Sequence, residues 1–322
     1  EMRVALVGDT MLGRAVAERV AESPSPRLLG DAVVELLRDA DLTVANLECC
    51  ISDRGQRWPD PRKPFFFRAP PAAAALLADW GVDVVTVANN HALDYGVEAL
   101  LDTLEHLDRA GIATVGAGAG VADARRPLHT VVDGTPVRVV GVTDHPADFA
   151  AGERRPGVAY ADLRAGVPPW LTEACAGDGE EVVLVTPHWG PNMTTEPLPY
   201  VQRAADRLLD AGATVIAGHS AHVFHGVRFA GRRAVLYDLG DFLDDYAVDP
   251  QLRNDLGLLW LLDVSRDGVE RLEALPLQLD FCATDVARGD AARWITRRLQ
   301  RACAPFGTAV DEDGGRLLLH PA

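Results

Sequence analysis

Lysine is nearly missing from this chain. Of its 31 basic residues only Lys63 is a lysine, a bias we read as genome composition without functional weight. Positive charge is short overall: the net charge is −16, which argues against nucleic acid or an anionic membrane surface as a partner. Such a balance suits a protein that collects divalent cations, although most of it is expected on a solvated surface. No apolar run approaches the roughly 18 residues of a membrane span, and no secretory signal pattern is present. The five cysteines (Cys49, Cys50, Cys175, Cys282, Cys303) are odd in number and lack framework spacing. A reducing, cytoplasmic location is the expectation. No G-x-S-x-G elbow offers a serine nucleophile. Gly116-Ala-Gly-Ala-Gly120 lacks the strand and helix that would make it a phosphate loop.

What remains is an ordinary globular composition, 48% hydrophobic and 24% charged over 322 residues, read as one domain spanning 1–322. Apolar β-branched runs alternate with helical spacing. Strands are expected at Arg3–Val7, Leu42–Leu47, 81–86, Ile112–Val115, Glu181–Thr186 and Thr214–Ala217. Helices are expected at Arg14–Glu22, Leu28–Ala40, Ala72–Trp80, Val97–Ala110, Trp170–Ala176, Pro199–Ala211 and Asp290–Cys303. Hairpins turn at Asp133-Gly134 and Gly231, and two long strands, Leu256–Val264 and Val269–Gln278, close a sheet. Residues 53–71 read as a loop of arginines, prolines and aromatics. Residues 240–246 read as an acidic loop in which Asp241, Asp244 and Asp245 are solvated.

Polar residues recur where these strands end. Asp9, Glu48, Asn90, His91, His188, His219 and His222 each follow an apolar run. In open α/β sheets ligands bind at the carboxyl ends of strands, and a mixed carboxylate, amide and imidazole set suits Mn²⁺, Fe²⁺, Zn²⁺ or Ca²⁺. One such residue could cap a turn; five strand ends point to a shared centre holding one or two ions. Cys49 and Cys50 adjoin Glu48, and buried structural thiols are the reading we take.

Gly8-Asp9, Asn46-Leu-Glu48, Ala88-Asn-Asn-His91-Ala-Leu-Asp94, Pro187-His188-Trp-Gly190, Gly218-His219-Ser-Ala-His222 and Tyr237-Asp-Leu-Gly240-Asp-Phe242 resemble, in order, the motifs of the CapA (poly-γ-glutamate capsule synthesis) family. That family is similar to the calcineurin-like metallophosphoesterases. The resemblance implies a four-layered α/β/β/α sandwich of the metallo-dependent phosphatase type. It implies Asp9, Glu48, Asn90, His188, His219 and His222 as metal ligands, Glu48 between two metal positions, and His91 as acid or base. The chain departs from the pattern in three places. Asp9-Thr10-Met11 lacks the histidine of Asp-x-His, Asn-Leu-Glu48 replaces an aspartate signature, and Ser220 stands where capsule members often have histidine. One metal position is thereby weakened.

Three functions compete: metal-assisted phosphoester hydrolysis, epimerisation at a peptide Cα, and non-catalytic binding of an anionic polymer. The reading preferred on sequence is epimerisation, with His91 and Asp9 as acid–base residues. A branch of the family is similar to the enzymes that invert the C-terminal residue of ribosomal lasso-type precursor peptides. The expected substrate is a peptide, alternatively a phosphoester, seated by Asn89, Trp58, Phe66 and Trp189. Poly-γ-glutamate or capsule biosynthesis is the further alternative.

Overall fold

Alternation along the strands decides the layering. In the strand Met2–Thr10, residues Ala5 and Val7 face one apolar cluster while Met2, Val4 and Leu6 face another. The strand Leu256–Ser265 splits in the same way, with Leu259 and Leu261 on one side and Leu258, Trp260 and Leu262 on the other. In Val182–His188, Val182 and Leu184 join the second cluster while Val183 and Val185 enter a third. Three buried clusters therefore separate four layers, α/β/β/α, as the motif resemblance implied. This is a computed structural model that describes residues 1–322.

The first sheet is mixed. Met2–Thr10, Leu42–Leu47, Val84–Thr86 and Ala113–Val115 run parallel, and Leu256–Ser265 and Gly268–Asp280 extend the other side antiparallel. A terminal hairpin, Thr308–Asp313 and Arg316–Pro321, completes that edge. The helices Arg14–Glu22, Asp31–Asp39, Ala72–Asp79 and Gly96–Arg109 cover its outer face. The second sheet has a parallel centre, Thr135–Thr143, Val182–His188, Val215–Ala217 and Arg233–Leu236, flanked by antiparallel edges. Pro169–Cys175 and Pro199–Ala211 cover its outer face. The latter starts with proline at its first turn and stops at Gly212, at φ 130, and between them Val201, Ala204, Ala205 and Leu208 form the buried stripe. No helix is long and apolar enough to cross a membrane.

Both parallel centres point their carboxyl ends at one place. Two glycines allow that convergence. A Cβ on Gly8 would lie 1.8 Å from Gly240 O, and one on Gly218 would lie 2.3 Å from Tyr237 O. Any side chain there would push apart the strand ends that carry Asp9 and His219.

The structure corrects the acidic loop. Asp241–Leu243 is a short strand, parallel to Met2–Thr10 with Asp9 opposite Asp241, and both Asp241 and Asp244 are buried. Asp245 is largely covered as well and pairs with Arg14. All five cysteines are free and buried, and burial raises the Cys49 thiol and pushes the Cys50 thiol up to about 12, away from the thiolate form that a nucleophile uses.

Candidate metal centre

Asp9 stands at the hub. Its Oδ1 accepts from Asn46 Nδ2 at 2.6 Å, and its Oδ2 lies 3.1 Å from His222 Nδ1. Asp9 belongs to two overlapping groups whose candidate ligand atoms lie within 4.8 Å of one another, one with His188 and His219 and one with Glu48 and His222. The member common to both groups is Asp9, whereas the motif resemblance gave that position to Glu48. Glu48 is fully buried with Oε1 3.7 Å from His188 Nε2. Two adjoining groups accommodate one or two ions.

The donor set fits a divalent cation, as its partnerless atoms show. Both oxygens of Glu48, Nε2 of His188, Nε2 of His219 and Oδ1 of Asn90 are buried with no hydrogen-bond partner in the protein. Each such group costs about 1–3 kcal/mol, so five together rival the ~5–15 kcal/mol net stability of a whole domain. Something must pair with them, and carboxylate, amide and imidazole together are the ligand chemistry of Mn²⁺, Fe²⁺ or Zn²⁺.

Titration behaviour follows from burial. Burial, reinforced by the Asp9 charge, pushes Glu48 well above the usual carboxylate range. Burial would raise Asp9 too, but the hydrogen bond and charge of His222 outweigh it and hold Asp9 low. Burial would lower His222, but Asp241, 2.8 Å away, and Asp9 outweigh it, so His222 is held well above the usual imidazole value. Burial lowers His188 well below that value and His219 to about 4. The metal-free centre is thus compensated by an imidazolium on His222.

Metal-free protein is expected to be most stable in mildly acidic solution. The contribution of His222 is complete below about pH 6.5 and is lost as pH rises through its elevated folded value. Glu48 and Asp241, both raised by burial, act in the same direction above about pH 4. His188 and His219 act oppositely. The unfolded chain takes up their protons below about pH 6.5, whereas folded His219 resists to about 4, so stability falls as pH drops through that window. Melting midpoints against pH in chelator test this; a midpoint that climbs steadily from pH 6 to 9 contradicts it.

Beside the ligands lies a second kind of group. His91 Nδ1 is 2.6 Å from Asp94 Oδ2, which leaves Nε2 as the free ring nitrogen. Asp94 also accepts from Phe67 N at 2.8 Å and pairs with Lys63 Nζ at 2.8 Å, and Lys63 donates further to Asn90 O. His91 is the wall of a cavity of ≈ 570 Å³ whose other sides include Arg14, Phe65, Phe67, Met193, His222 and Tyr246. A second cavity, ≈ 530 Å³, opens past Asn90 toward His145, Tyr160, Arg164 and Tyr200, and shares Asn192 with the first. Residues with left-handed backbone gather here: Arg14 (φ 50), Met193 (φ 55), Ser220 (φ 128) and His222 (φ 64). Non-glycine residues held in this region cost strain and cluster at active sites and ligand clamps.

Of the four residues expected to seat substrate, Asn89 and Trp189 are fully engaged inside the protein, while Trp58 and Phe66 are half-buried and pack against neighbouring rings. Asn89 is fully buried; its Nδ2 donates to Asn46 Oδ1 and Leu47 O, and its Oδ1 accepts from His91 N, so it ties the loop together. Trp189 is a core residue whose Nε1 donates to Tyr237 O at 2.8 Å. Trp58 packs edge-on against Phe149. Phe66 packs edge-on against Tyr95, while its neighbours Phe65 and Phe67 line the cavity.

Several residues went unread in the sequence. Asp241 was signalled by its motif but assigned to solvent. Asp238 accepts from Ala221 N and Gly240 N, shaping the His219–His222 turn. Asp144 and His145 form a paired carboxylate and imidazole whose ring lies 4.9 Å from His188; their stretch carried no periodicity to signal it. Ser220, in the place of a histidine, donates to Gly190 O at 2.8 Å.

Comparison with known proteins agrees with the motifs. The model of the family described as bacterial capsule synthesis protein PGA_cap matches residues 3–246. A probable polyglutamine synthesis accessory protein of Mycobacterium tuberculosis is 30% identical over 356 aligned residues, covering 95% of this chain and 92% of that protein. The PGA biosynthesis protein CapA of Bacillus subtilis is 29% identical over 297 residues, covering 92% of this chain and 76% of that protein. Among solved structures, a hypothetical protein from Thermus thermophilus aligns over 89% of this chain and 96% of its own length at 18% identity and a TM-score of 0.47. On the family match across residues 3–246 and these relatives, the chain belongs to the bacterial capsule synthesis protein family.

Proposed function

We propose that this chain is a divalent-metal-dependent enzyme of the CapA kind that processes a carboxylate-bearing peptide polymer of the poly-γ-glutamate type. The observation that carries the reading is the set of buried, partnerless ligand atoms, together with a cavity lined by both His91, which Asp94 orients, and the proposed ligand His222. The names of the relatives favour a peptide polymer over a simple phosphoester. Asp9, Glu48, Asn90, His188, His219 and His222 would hold a divalent ion, which would supply Lewis acidity when bound. His91, oriented through Nδ1 by Asp94, takes or returns a proton at Nε2. The net charge of −16 opposes a bare polyanion; a bound ion would supply local positive charge at the centre.

A second reading is favoured by the apolar character of the cavity. Phe65, Phe67 and Tyr246 suit an apolar peptide end, on which proton removal and return at Cα by His91 would invert the centre, as on a lasso-type precursor.

The test incubates Mn²⁺-loaded protein separately with oligo-γ-glutamate, a peptide with an apolar C-terminal residue, and an aryl phosphate. Metal-dependent shortening of the γ-linked chain supports the first reading. Solvent deuterium at Cα of the peptide supports the second, and its absence under turnover sinks it. Brisk release of aryl alcohol, with both peptides untouched, would assign the chain to phosphoester hydrolysis and overturn the peptide reading.

A further inference from the structure

Arg14 is placed in an unusual way. It opens the helix Arg14–Glu22 directly after Gly13, with its backbone in the left-handed region. Its guanidinium carbon sits 4.9 Å from the centroid of Phe67, 5.6 Å from Tyr246 and 5.7 Å from Phe65. Nε and Nη2 both donate to Asp245 Oδ1, while Asp245 Oδ2 accepts from Ala15 N at 3.1 Å. Asp245 is thus pinned by the helix start, and its side chain is only 6% exposed. The hydrogen bonds of the guanidinium use Nε and Nη2, which leaves Nη1 as its unused donor, and Arg14 lines the cavity.

We propose that Arg14 is the specificity-determining residue of this cavity: its Nη1 receives one carboxylate of a peptide substrate whose stem lies on Phe65, Phe67 and Tyr246. Three observations converge. An arginine laid against aromatic faces is held in place without losing its outward donor. The pinned Asp245 cancels much of its charge, so the pair suits a monoanion rather than a phosphate dianion. Phe67 touches both partners, Arg14 at 4.9 Å and the His91 ring at 4.1 Å. The guanidinium and the imidazole therefore lie no farther apart than the sum of those two contacts. A group held on Arg14 is within two or three extended residues, ~3.5 Å each, of His91.

The inference deepens the peptide reading and rests on it for the substrate class. The carboxylate could be a peptide's C-terminus or the α-carboxylate of a γ-linked glutamate. Both are the same chemistry to Arg14.

Equilibrium binding decides, with no turnover needed. Calorimetric titration of metal-loaded full chain compares N-acetyl-phenylalanine with its amide, and γ-linked diglutamate with its fully amidated form. The acid is expected to bind roughly tenfold more tightly than the amide in at least one pair, the size of one charge-assisted hydrogen bond. Arg14→Gln should bring that pair within about twofold, Arg14→Lys should keep part of the preference, and Phe65→Ala should weaken the phenylalanine acid and amide alike. Metal content and melting midpoint show that each variant is folded. The pair that responds names the carboxylate's source. Equal binding of acid and amide in both pairs, or a preference that survives in Arg14→Gln, overturns the proposal. If no peptide is turned over but the preference appears and depends on Arg14, the reaction is wrong and this site stands.

Discussion

Glu48→Gln is expected to empty the centre of metal while making the metal-free chain more stable at alkaline pH. Both carboxylate oxygens of Glu48 are buried without partners, in reach of His188 and beside Asp9. Loss even of a residue that only orients a ligand typically costs 10–100-fold in metal affinity, so loss of the carboxylate itself should cost at least about a hundredfold. The stability change has the opposite sign because a buried carboxylate beside Asp9 is costly to ionise. Because burial holds the Glu48 carboxyl well above the usual carboxylate range, removing it is expected to stabilise the metal-free protein more at pH 9 than at pH 6. Elemental analysis after dialysis, with melting curves in chelator at both pH values, reads both effects. Full metal content in the variant would remove Glu48 from the ligand set.

The second large effect is expected at His91. His91→Ala should lower turnover by roughly 10²–10⁴, the usual range for a positioned acid–base group, with metal content unchanged. His91 is held by Asp94, Asn89 and Phe67 rather than by the ligand residues, so its removal spares the centre. Asp94→Asn should act in the same direction but more mildly, because Nδ1 keeps a partner that no longer fixes its tautomer. Parallel loss of metal and activity in His91→Ala would make His91 a ligand instead.

How far the sequence could reach depends on what each residue's role leaves in the pattern. Asp9, Glu48, His188 and His219 were legible because each ends a β-branched run, and parallel sheets gather such ends. Asn46-Leu-Glu48 and Asn89-Asn90-His91 could be placed but not divided: which amide binds and which braces the loop depends on hydrogen bonds from another strand end. The aromatic loop shows the limit plainly. In extended chain, side chains alternate sides, so three consecutive phenylalanines cannot all face one cavity. The sequence offered no means to choose Phe65 and Phe67 over Phe66. Asp241 and Asp244 were unreadable for a different reason. An acidic run is normally solvated, and only pairing of Asp241–Leu243 with the end of Met2–Thr10 buries it. The terminal hairpin at Thr308–Asp313 and Arg316–Pro321 left no expectation at all, since its apolar residues are few and interrupted by acids and glycines.

The lone lysine has a practical consequence. Lys63 Nζ is tied to Asn90 O and to Asp94, within contact of a proposed ligand and of the carboxylate that orients His91. It is the only lysine among these 322 residues. An acylating dye or an amine-directed cross-linker therefore finds no reactive side chain on the outer surface. Its one side-chain target is held against Asn90 O and Asp94, so the rate at which that amine is tagged reports how often those two contacts break.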